Sequence, residues 1–395
     1  MVIERDIASR IRKSARQLPA VTVMGPRQSG KTTLCRHLFP DHAYVSLEDP
    51  SKRQLALEDP QRFLAGFTQG AVLDEVQRAP DLLSYLQGIM DEDPAPGRWI
   101  LTGSQNFGLA ANVSQSLAGR TGVFHLLPLS RREATRFAWA PSSLEEAMFT
   151  GGYPRIFDRR IEPPEWFASY AQTYLERDVR QITSINDLVS FQRFVQLAAA
   201  RTGQELNYDD LAGDCGVSQQ TVKKWLSVLE ASYIAFRLPP FFRKVGKRLI
   251  KRPKLYFHDT GLACWLLGVQ GPEQLHAHPL RGALFETWTV SEIVKLRSAH
   301  QSGLTRGMYF YREKNHAEVD LVIESSGGVL LLEAKSAVTP SASLLAGAQR
   351  VAKHFSGTGI PCEIAVAFGG DEPQRRTGGT LIPWHSLETC SEFMP

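Results

Sequence analysis

The sequence predicts an α/β protein that begins with a parallel sheet covered by helices on both faces. Short apolar runs alternate with helical stretches along the first part of the chain, which is the pattern of parallel strands joined by helices. The first run ends at a glycine-rich loop that opens a helix. The predicted strands are Ala20–Met24, Ala43–Leu47, Ala71–Glu75, Trp99–Ser104 and Val123–Leu127.

The bulk composition is that of a folded globular protein of two or three domains. The chain has 395 residues, of which 43% are apolar and 22% are charged. No apolar run approaches the ~18 residues that span a bilayer, and the amino-terminal residues lack the apolar core of a signal peptide. The five cysteines are scattered without paired spacing, as reduced thiols are. We therefore expect a cytoplasmic protein without a membrane partner.

The glycine-rich loop after the first strand predicts a site for ATP and Mg²⁺. Backbone N–H groups of such a loop, and the positive end of the following helix, stabilise the clustered negative charge of a phosphate tail. Lys31 is expected to reach the β- and γ-phosphates, and the Thr32 hydroxyl is expected to hold the metal. The expected nucleotide-binding residues are Gly25, Pro26, Arg27, Gln28, Ser29, Gly30, Lys31, Thr32 and Thr33.

The pair Asp74-Glu75 ends the third predicted strand and indicates hydrolysis. We expect Asp74 to bind Mg²⁺ through water and Glu75 to orient and deprotonate the attacking water. One strand separates this strand from the first along the chain, an order typical of ATPases with an additional strand. In that class a polar residue at a strand end senses the γ-phosphate. The candidates for the sensor are Thr102, Ser104 and Gln105, of which Ser104 is preferred.

An arginine is expected beside the negative charge that develops on the phosphate. Arg120 follows the sensor strand and is the preferred candidate, with Arg155 and Arg177 as alternatives. The sequence leaves open whether such an arginine acts in its own subunit or in a neighbouring copy, so a homo-oligomer is one alternative. An ordinary surface or salt-bridge role is the simpler interpretation of each of these arginines.

Residues 191–259 show the order of elements of a winged helix. A helix, a short helix, a tight turn, a third helix and a hairpin follow one another. A basic segment, Arg243–Lys254, joins the hairpin strands, and seven of its twelve positions are Lys or Arg. With Lys223 and Lys224 of the third helix, this segment predicts contact with DNA phosphates. The alternative is a packing module with a solvated loop.

With these motifs, the chain resembles a bacterial and archaeal family of AAA-type P-loop ATPases that carry a C-terminal domain of unknown function. The resemblance implies ATP binding and a role with DNA. We expect an ATPase domain at 1–135, a helical linker with a winged helix at 136–265, and a small αβ domain at 270–395. The matching runs are Gly25–Thr32, Leu73–Gln77, Leu101–Ser104, Gly151–Pro154, Tyr174–Val179, Lys254–Leu262, Gly282–Glu286 and Tyr311–Lys335.

The small αβ domain is similar to the PD-(D/E)XK nuclease fold. Asp320 lies in one predicted strand, and Glu333 and Lys335 share a face of the next because they are two residues apart. The expected Mg²⁺ ligands are Asp320, Glu333 and Glu286 of the preceding helix, while Lys335 would position or activate water. Val319 stands where the nuclease pattern has proline. The structural alternative is a Lys335 that forms salt bridges with Asp320 and Glu333.

Three functions are compatible with these features. The first is a DNA-associated protein that binds and hydrolyses ATP and carries a nuclease-like domain. The second is a nucleotide-dependent switch that acts on a protein partner without cutting DNA. The third, a phosphotransferase, is disfavoured because Asp74-Glu75 indicates hydrolysis.

Overall fold

The computed structural model describes residues 2–104, 117–175, 187–241, 252–301, 303–313, 317–356 and 360–393. Contacts between residues divide the chain into two compact units. The first unit comprises Met1–Leu127, Ala231–Tyr233 and Ser298–Gly303. The second comprises Pro128–Glu230, Ile234–Arg297 and Leu304–Pro395, so the predicted second and third domains lie in one compact unit. The domain boundaries given above stay a prediction.

The first unit is built on a five-stranded sheet in which all described pairings are parallel. The strand order is β2-β3-β4-β1-β5, so the strand that carries the expected sensor lies between the strands of the phosphate loop and the Asp-Glu pair. This sheet confirms the predicted α/β fold class. The strands are β1 (Ala20–Met24), β2 (Ala43–Ser46), β3 (Ala71–Asp74), β4 (Trp99–Gly103) and β5 (Thr121–His125).

Helices cover this sheet and bury its central strands. Every residue of β1, β3 and β4 is buried, which explains why these strands are apolar runs without alternation. Ile11 of the first helix packs with Val21 and Ile100 in one core cluster. The helices are α1 (Ala8–Ala15), α2 (Lys31–Leu38), α3 (Pro50–Glu58), α4 (Pro60–Ala65) and α5 (Leu82–Glu92), with a 3₁₀ turn at Val76–Arg78.

The second unit begins with short helices and continues into the region predicted to be a winged helix. Its elements are α6 (Arg131–Ala134), α7 (Leu144–Thr150), α8 (Pro154–Arg159), α9 (Pro163–Tyr170), a π-helical turn (Ala171–Leu175), α10 (Leu188–Ala200), α11 (Tyr208–Cys215), α12 (Gln219–Ala231), β6 (Ala235–Leu238), β7 (Lys254–Phe257), α13 (Thr260–Leu266) and a 3₁₀ helix (Pro272–Ala277).

The order from α10 to β7 follows the predicted layout of helices and hairpin. The side chain of Asn207 caps α11, and the Ser218 hydroxyl accepts the Thr221 N–H at 3.1 Å at the start of α12. Strands β6 and β7 pair antiparallel. Most of the basic segment, residues 243–251, lies outside the described residues. Its last residue, Lys254, is buried instead of solvated, which corrects the expectation for that position.

Two of the motif runs that carry the family resemblance meet inside the second unit. The Gly152 N–H donates to Asp259 Oδ2 at 2.7 Å. A Cβ atom on Gly151, whose φ is 68°, would lie 2.2 Å from Asp259 Oδ1, so no other residue fits this approach. The ring of Tyr153 lies against those of Trp166 and Tyr170, with centroid distances of 4.4 and 5.0 Å. These runs and aromatic side chains therefore build a structural junction.

The C-terminal part of the second unit is a six-stranded mixed sheet with strand order β12-β13-β11-β10-β9-β8. Strands β9 and β10 form the predicted hairpin with Ser325 opposite Gly328, and β10 pairs parallel with β11. The elements are α14 (Arg281–His300), β8 (Met308–Arg312), β9 (Glu318–Ser325), β10 (Gly328–Lys335), α15 (Ala346–Ser356), β11 (Cys362–Phe368), β12 (Gln374–Arg376) and β13 (Gly379–Pro383), with 3₁₀ helices at Ala342–Leu345 and Trp384–Phe393. Strand β12 was not predicted.

Among the described residues, no helix is long and apolar enough to cross a membrane.

Candidate nucleotide site

The glycine-rich loop lies between β1 and α2 and presents the amino-terminal end of that helix. Gly30 precedes the helix in the left-handed conformation, with φ of 93° and ψ of 18°, and it offers no side-chain cap. A Cβ atom on Gly25 would lie 2.1 Å from the Leu126 carbonyl oxygen, so the loop can pass β5 only with glycine there. The first-turn N–H groups of α2, which include those of Lys31, Thr32 and Thr33, lack carbonyl partners within the helix. This arrangement can bind phosphate oxygens.

Lys31 is buried and its side chain folds over the loop. Its Nζ donates to the Gly25 and Pro26 carbonyls at 3.0 and 2.9 Å. Burial lowers the pKa of Lys31, while the nearby carboxylates of Glu75 and Asp74 oppose this shift. Phosphate oxygens at the loop would likewise favour the charged ammonium.

Asp74, at the end of β3, accepts hydrogen bonds from three hydroxyl groups. Thr32 Oγ1 and Tyr44 OH each donate to Asp74 Oδ2 at 2.9 Å, and Thr102 Oγ1 donates to Asp74 Oδ1. The two expected magnesium ligands, Thr32 and Asp74, are therefore in direct contact. A hydroxyl and a carboxylate are oxygen donors of the kind that Mg²⁺ takes, so these residues fit the ion.

Glu75 takes a left-handed backbone conformation, with φ of 58° and ψ of 46°, directly after β3. Its Oε2 accepts hydrogen bonds from Ser104 Oγ at 2.9 Å and from Gln77 Nε2. Such a conformation is costly for a residue with a Cβ atom and is often found at functional sites. Ser104 and Glu75, expected as sensor and base, thus lie in one hydrogen-bonded group.

The structure divides the sensor candidates between the two acidic residues. The Thr102 hydroxyl contacts the Asp74 carboxylate, whereas the Ser104 hydroxyl contacts the Glu75 carboxylate. Gln105 lies outside the described residues. Gln77 donates to both Glu75 and Ser104. It belongs to the matching run Leu73–Gln77, but no role in the site was predicted for it.

Arg120 does not reach this site within its own chain. It directly precedes β5, where the register pairs Thr121 with Ala20, at the opposite end of the sheet from the phosphate loop. Five residues of strand separate the two ends by roughly 16 Å. The guanidinium instead pairs with Asp91, through Nε to Oδ1 at 2.6 Å and Nη2 to Oδ2 at 2.9 Å. This placement favours the salt-bridge interpretation within the chain itself, while an action of Arg120 on a neighbouring copy stays a prediction. Arg177 lies outside the described part of the chain.

Tyr44 of β2 is a further residue of the site that sequence reasoning missed. Burial, followed by the charge of Asp74, raises the pKa of Tyr44 to about 12, so the hydroxyl stays a donor at neutral pH. The guanidinium of Arg36 lies 4.8 Å from the centre of its ring. Tyr44 also lines a cavity of about 520 Å³ beside the loop; the cavity is lined by Val2, Thr32, Thr33, Arg36, His37, Phe39, Pro40, His42 and Tyr44.

Arg5 braces the phosphate loop from the amino-terminal segment. Its Nη1 donates to the Ser29 carbonyl at 2.9 Å and its Nη2 donates to the Leu127 carbonyl at 2.8 Å. The residue is 8% exposed. A buried guanidinium that joins the loop to the chain after β5 fixes the backbone that would contact phosphate. No sequence motif indicated this role.

Replacing Arg5 by methionine is expected to weaken ATP binding by roughly tenfold, because two charge-assisted hydrogen bonds to the loop are lost. Titration with a fluorescent ATP analogue measures the dissociation constant. Arg12→Met is the matched control, since Arg12 pairs with the exposed Glu4 at 3.6 Å. Equal affinities of the two variants would contradict a role of Arg5 in holding the loop.

The expected C-terminal metal residues pair with two different lysines. Lys254 Nζ lies 2.8 Å from Glu286 Oε1, 2.6 Å from Glu318 Oε1 and 3.5 Å from Asp320 Oδ1. Glu333 turns to other partners: its Oε1 pairs with Lys335 Nζ at 2.6 Å and its Oε2 accepts the Ala348 N–H at 3.0 Å. Within the described ranges, no three His, Cys, Asp or Glu residues are grouped so that they could hold a metal ion.

The Glu333–Lys335 pair agrees with one of the two salt bridges of the structural alternative, in which Lys335 pairs with both Asp320 and Glu333. Burial raises the pKa of Glu333, and the Lys335 ammonium opposes that shift. Burial lowers the pKa of Lys335, but the ion pair outweighs it and raises the pKa overall. Asp320, the other expected partner of Lys335, accepts the Ala334 N–H at 2.9 Å and lies beside Lys254. The charges of Asp320 and Glu286 nevertheless also raise the pKa of Lys335. The joint metal site of Glu286, Asp320 and Glu333 stays a prediction.

Protein-family models match three successive parts of the chain. An AAA domain model matches residues 17–135, the part that contains the phosphate loop and Asp74-Glu75. A domain of unknown function (DUF8612) matches residues 141–273, and a second domain of unknown function (DUF4143) matches residues 281–387. The fold and the loop geometry thus define the class of the first unit, which is that of the AAA-type P-loop ATPases.

Relatives share most of the chain's length. The uncharacterized protein Rv2008c of Mycobacterium tuberculosis is 32% identical over 349 residues, which cover 87% of this chain and 76% of that protein. The uncharacterized protein MJ1544 of Methanocaldococcus jannaschii is 22% identical over 353 residues, covering 82% and 75%. The chain belongs to the family of AAA-type P-loop ATPases with a C-terminal domain of unknown function, as the motifs indicated.

Solved structures with some likeness include the Walker-type ATPase PABY2304 of Pyrococcus abyssi. Its TM-score is 0.45 at 14% identity, covering 67% of this chain and 96% of that one. AMPPCP-bound DnaA of Aquifex aeolicus has a TM-score of 0.29 at 13% identity, covering 58% and 89%.

Proposed function

We propose that the chain binds ATP with Mg²⁺ at the phosphate loop and hydrolyses it. The observation that carries this proposal is the direct contact of Thr32 with Asp74, beside a Glu75 held by Ser104. Thr32 and, through water, Asp74 would hold the magnesium, which neutralises charge on the phosphate oxygens. Lys31 would bind the β- and γ-phosphates once its Nζ leaves the loop carbonyls.

Glu75 is the base in this proposal. A water molecule in line with the γ-phosphate would give its proton to the Glu75 carboxylate as the oxygen–phosphorus bond forms, while ADP leaves with the electrons of the broken bond. Ser104 and Gln77 hold the carboxylate through hydrogen bonds and so define its direction. Thr102 fixes Asp74 from β4 in the same way.

Release of inorganic phosphate tests this proposal. The wild-type chain is expected to release phosphate from ATP only when Mg²⁺ is present, and Lys31→Ala is expected to abolish both hydrolysis and tight nucleotide binding. Lys13→Ala, a change of an exposed lysine in the same unit, is the control. If the folded wild-type chain releases no phosphate in the presence of Mg²⁺, the proposal of hydrolysis is refuted. If that chain still binds ATP, a nucleotide-dependent switch is the function that remains.

We also propose that helix α12 contacts nucleic-acid phosphates. Its exposed face carries Lys223 and Lys224, whereas Val222, Trp225 and Leu226 on the other side are buried. Exposed lysines on the third helix of such a layout can reach a phosphate backbone. The rival function is a switch that acts on a protein partner, with this region as a packing module.

Fluorescence anisotropy with a labelled DNA duplex at several salt concentrations separates these two functions. Binding should weaken with salt, and the double variant Lys223→Ala, Lys224→Ala should reduce the salt dependence by about two counterions. Lys13→Ala again serves as the control. A wild-type chain that binds no duplex with or without ATP favours the protein-partner switch.

The mass in solution with and without ATP tests the homo-oligomer, in which a neighbouring copy would supply the arginine.

A further inference from the structure

We infer that the Lys254 ammonium is a built-in cation that replaces the divalent metal among the C-terminal carboxylates, so that the nuclease-like domain binds no catalytic metal there. Lys254 ends the basic segment in sequence but is folded inward as the first residue of β7. Its side chain is only 3% exposed. The inference concerns the C-terminal domain alone and is independent of ATP hydrolysis.

The Lys254 ammonium occupies the point at which three carboxylates meet. Lys254 Nζ lies between 2.6 and 3.5 Å from one oxygen each of Glu286, Glu318 and Asp320. These oxygens converge from α14 and β9, and a divalent ion that used them would have to lie at the same point. A metal and a fixed ammonium repel each other strongly in a buried site, because the surroundings screen their charges poorly.

Further groups bind these carboxylates. Asp320 Oδ2 accepts the Ala334 N–H at 2.9 Å, and Glu286 Oε1, which already pairs with Lys254, also accepts the Tyr256 hydroxyl at 2.6 Å. Glu333, which the sequence pattern places in the metal site, is bound to Lys335 and to the start of α15. A metal at the position of the ammonium would therefore compete with hydrogen bonds that join β7 to α14 and β9 to β10.

Binding of Mn²⁺, measured by the loss of its free electron paramagnetic resonance signal, tests the inference. The starting chain carries Thr32→Val and Asp74→Asn, which remove the proposed metal ligands of the first unit. We expect a further Asp320→Asn change to leave the Mn²⁺ binding of this chain unaltered, because Asp320 holds no metal ion. Adding Lys254→Met should tighten Mn²⁺ binding by at least roughly tenfold, or about 1.4 kcal/mol, and Asp320→Asn should then abolish the gain.

Two results would overturn the inference. One is Mn²⁺ binding by the starting chain that Asp320→Asn abolishes, a comparison that decides the question even if Lys254→Met does not fold. The other is a folded Lys254→Met variant, checked by circular dichroism, that gains no Mn²⁺ site. As a control, Lys335→Met removes an ammonium that pairs with Glu333 but leaves Lys254 in place, and it should gain no Mn²⁺ binding.

Discussion

Replacing Glu75 by glutamine is expected to lower the rate of ATP hydrolysis by roughly 10²- to 10⁴-fold while ATP stays bound. Glutamine keeps the size and the hydrogen-bonding oxygen of the side chain but cannot take a proton from water. The carboxylate is held by Ser104 and Gln77, so the amide can occupy the same place. Phosphate release and equilibrium binding of ATP, measured on the same preparation, check both halves of this expectation.

The control for this prediction is Glu58→Gln, which changes an exposed acid at the end of α3 in the same unit. It should leave the hydrolysis rate unchanged. If Glu75→Gln hydrolyses ATP at the wild-type rate, Glu75 is not the base. If it loses ATP binding as well, its effect is on the structure of the loop and not on proton transfer.

Replacing Lys254 by methionine is expected to lower the free energy of unfolding by ~3–5 kcal/mol. The change leaves Glu286, Glu318 and Asp320 together without their shared cation, and a buried charge whose partner is removed is costly. Methionine retains most of the length of the side chain, so the loss reports charge more than packing. Urea denaturation followed by circular dichroism, in the presence of EDTA, gives the difference.

Lys335→Met provides the comparison for this loss of stability. Lys335 also pairs with a carboxylate at 2.6 Å, but its side chain is 42% exposed. Solvent screens such a pair, and its removal is expected to cost at most ~1 kcal/mol. Equal losses for the two lysines would contradict the view that Lys254 is the buried centre of the cluster.

The five strands and the phosphate loop of the first unit could be predicted from the sequence. Each of its strands is a short apolar run bounded by turn residues, so the signal is local. Thr32 and Asp74 were both expected to bind the same Mg²⁺, Thr32 directly and Asp74 through water, so the two side chains had to lie close together. The bond at 2.9 Å between them agrees with that expectation.

Other contacts could not be predicted because they join residues that are far apart in sequence and carry no motif. Arg5 reaches the carbonyl of Leu127, 122 positions away. In the sequence, Lys254 is one of several basic residues in a segment that could be a solvated loop. Only the tertiary fold places it beside Glu286. Arg120 was chosen because it follows β4 along the chain. It also directly precedes β5, and the start of a parallel strand lies at the edge of the sheet opposite the phosphate loop.

The burial of Lys254 has a consequence for dissecting the chain into fragments. A truncated polypeptide that stops at residue 265 would retain β7 but lack Glu286, Glu318 and Asp320, so the ammonium would lose all three carboxylates that it contacts. A fragment that starts at residue 270 would keep the carboxylates without the lysine. The region 136–265 is therefore best expressed together with the C-terminal sheet.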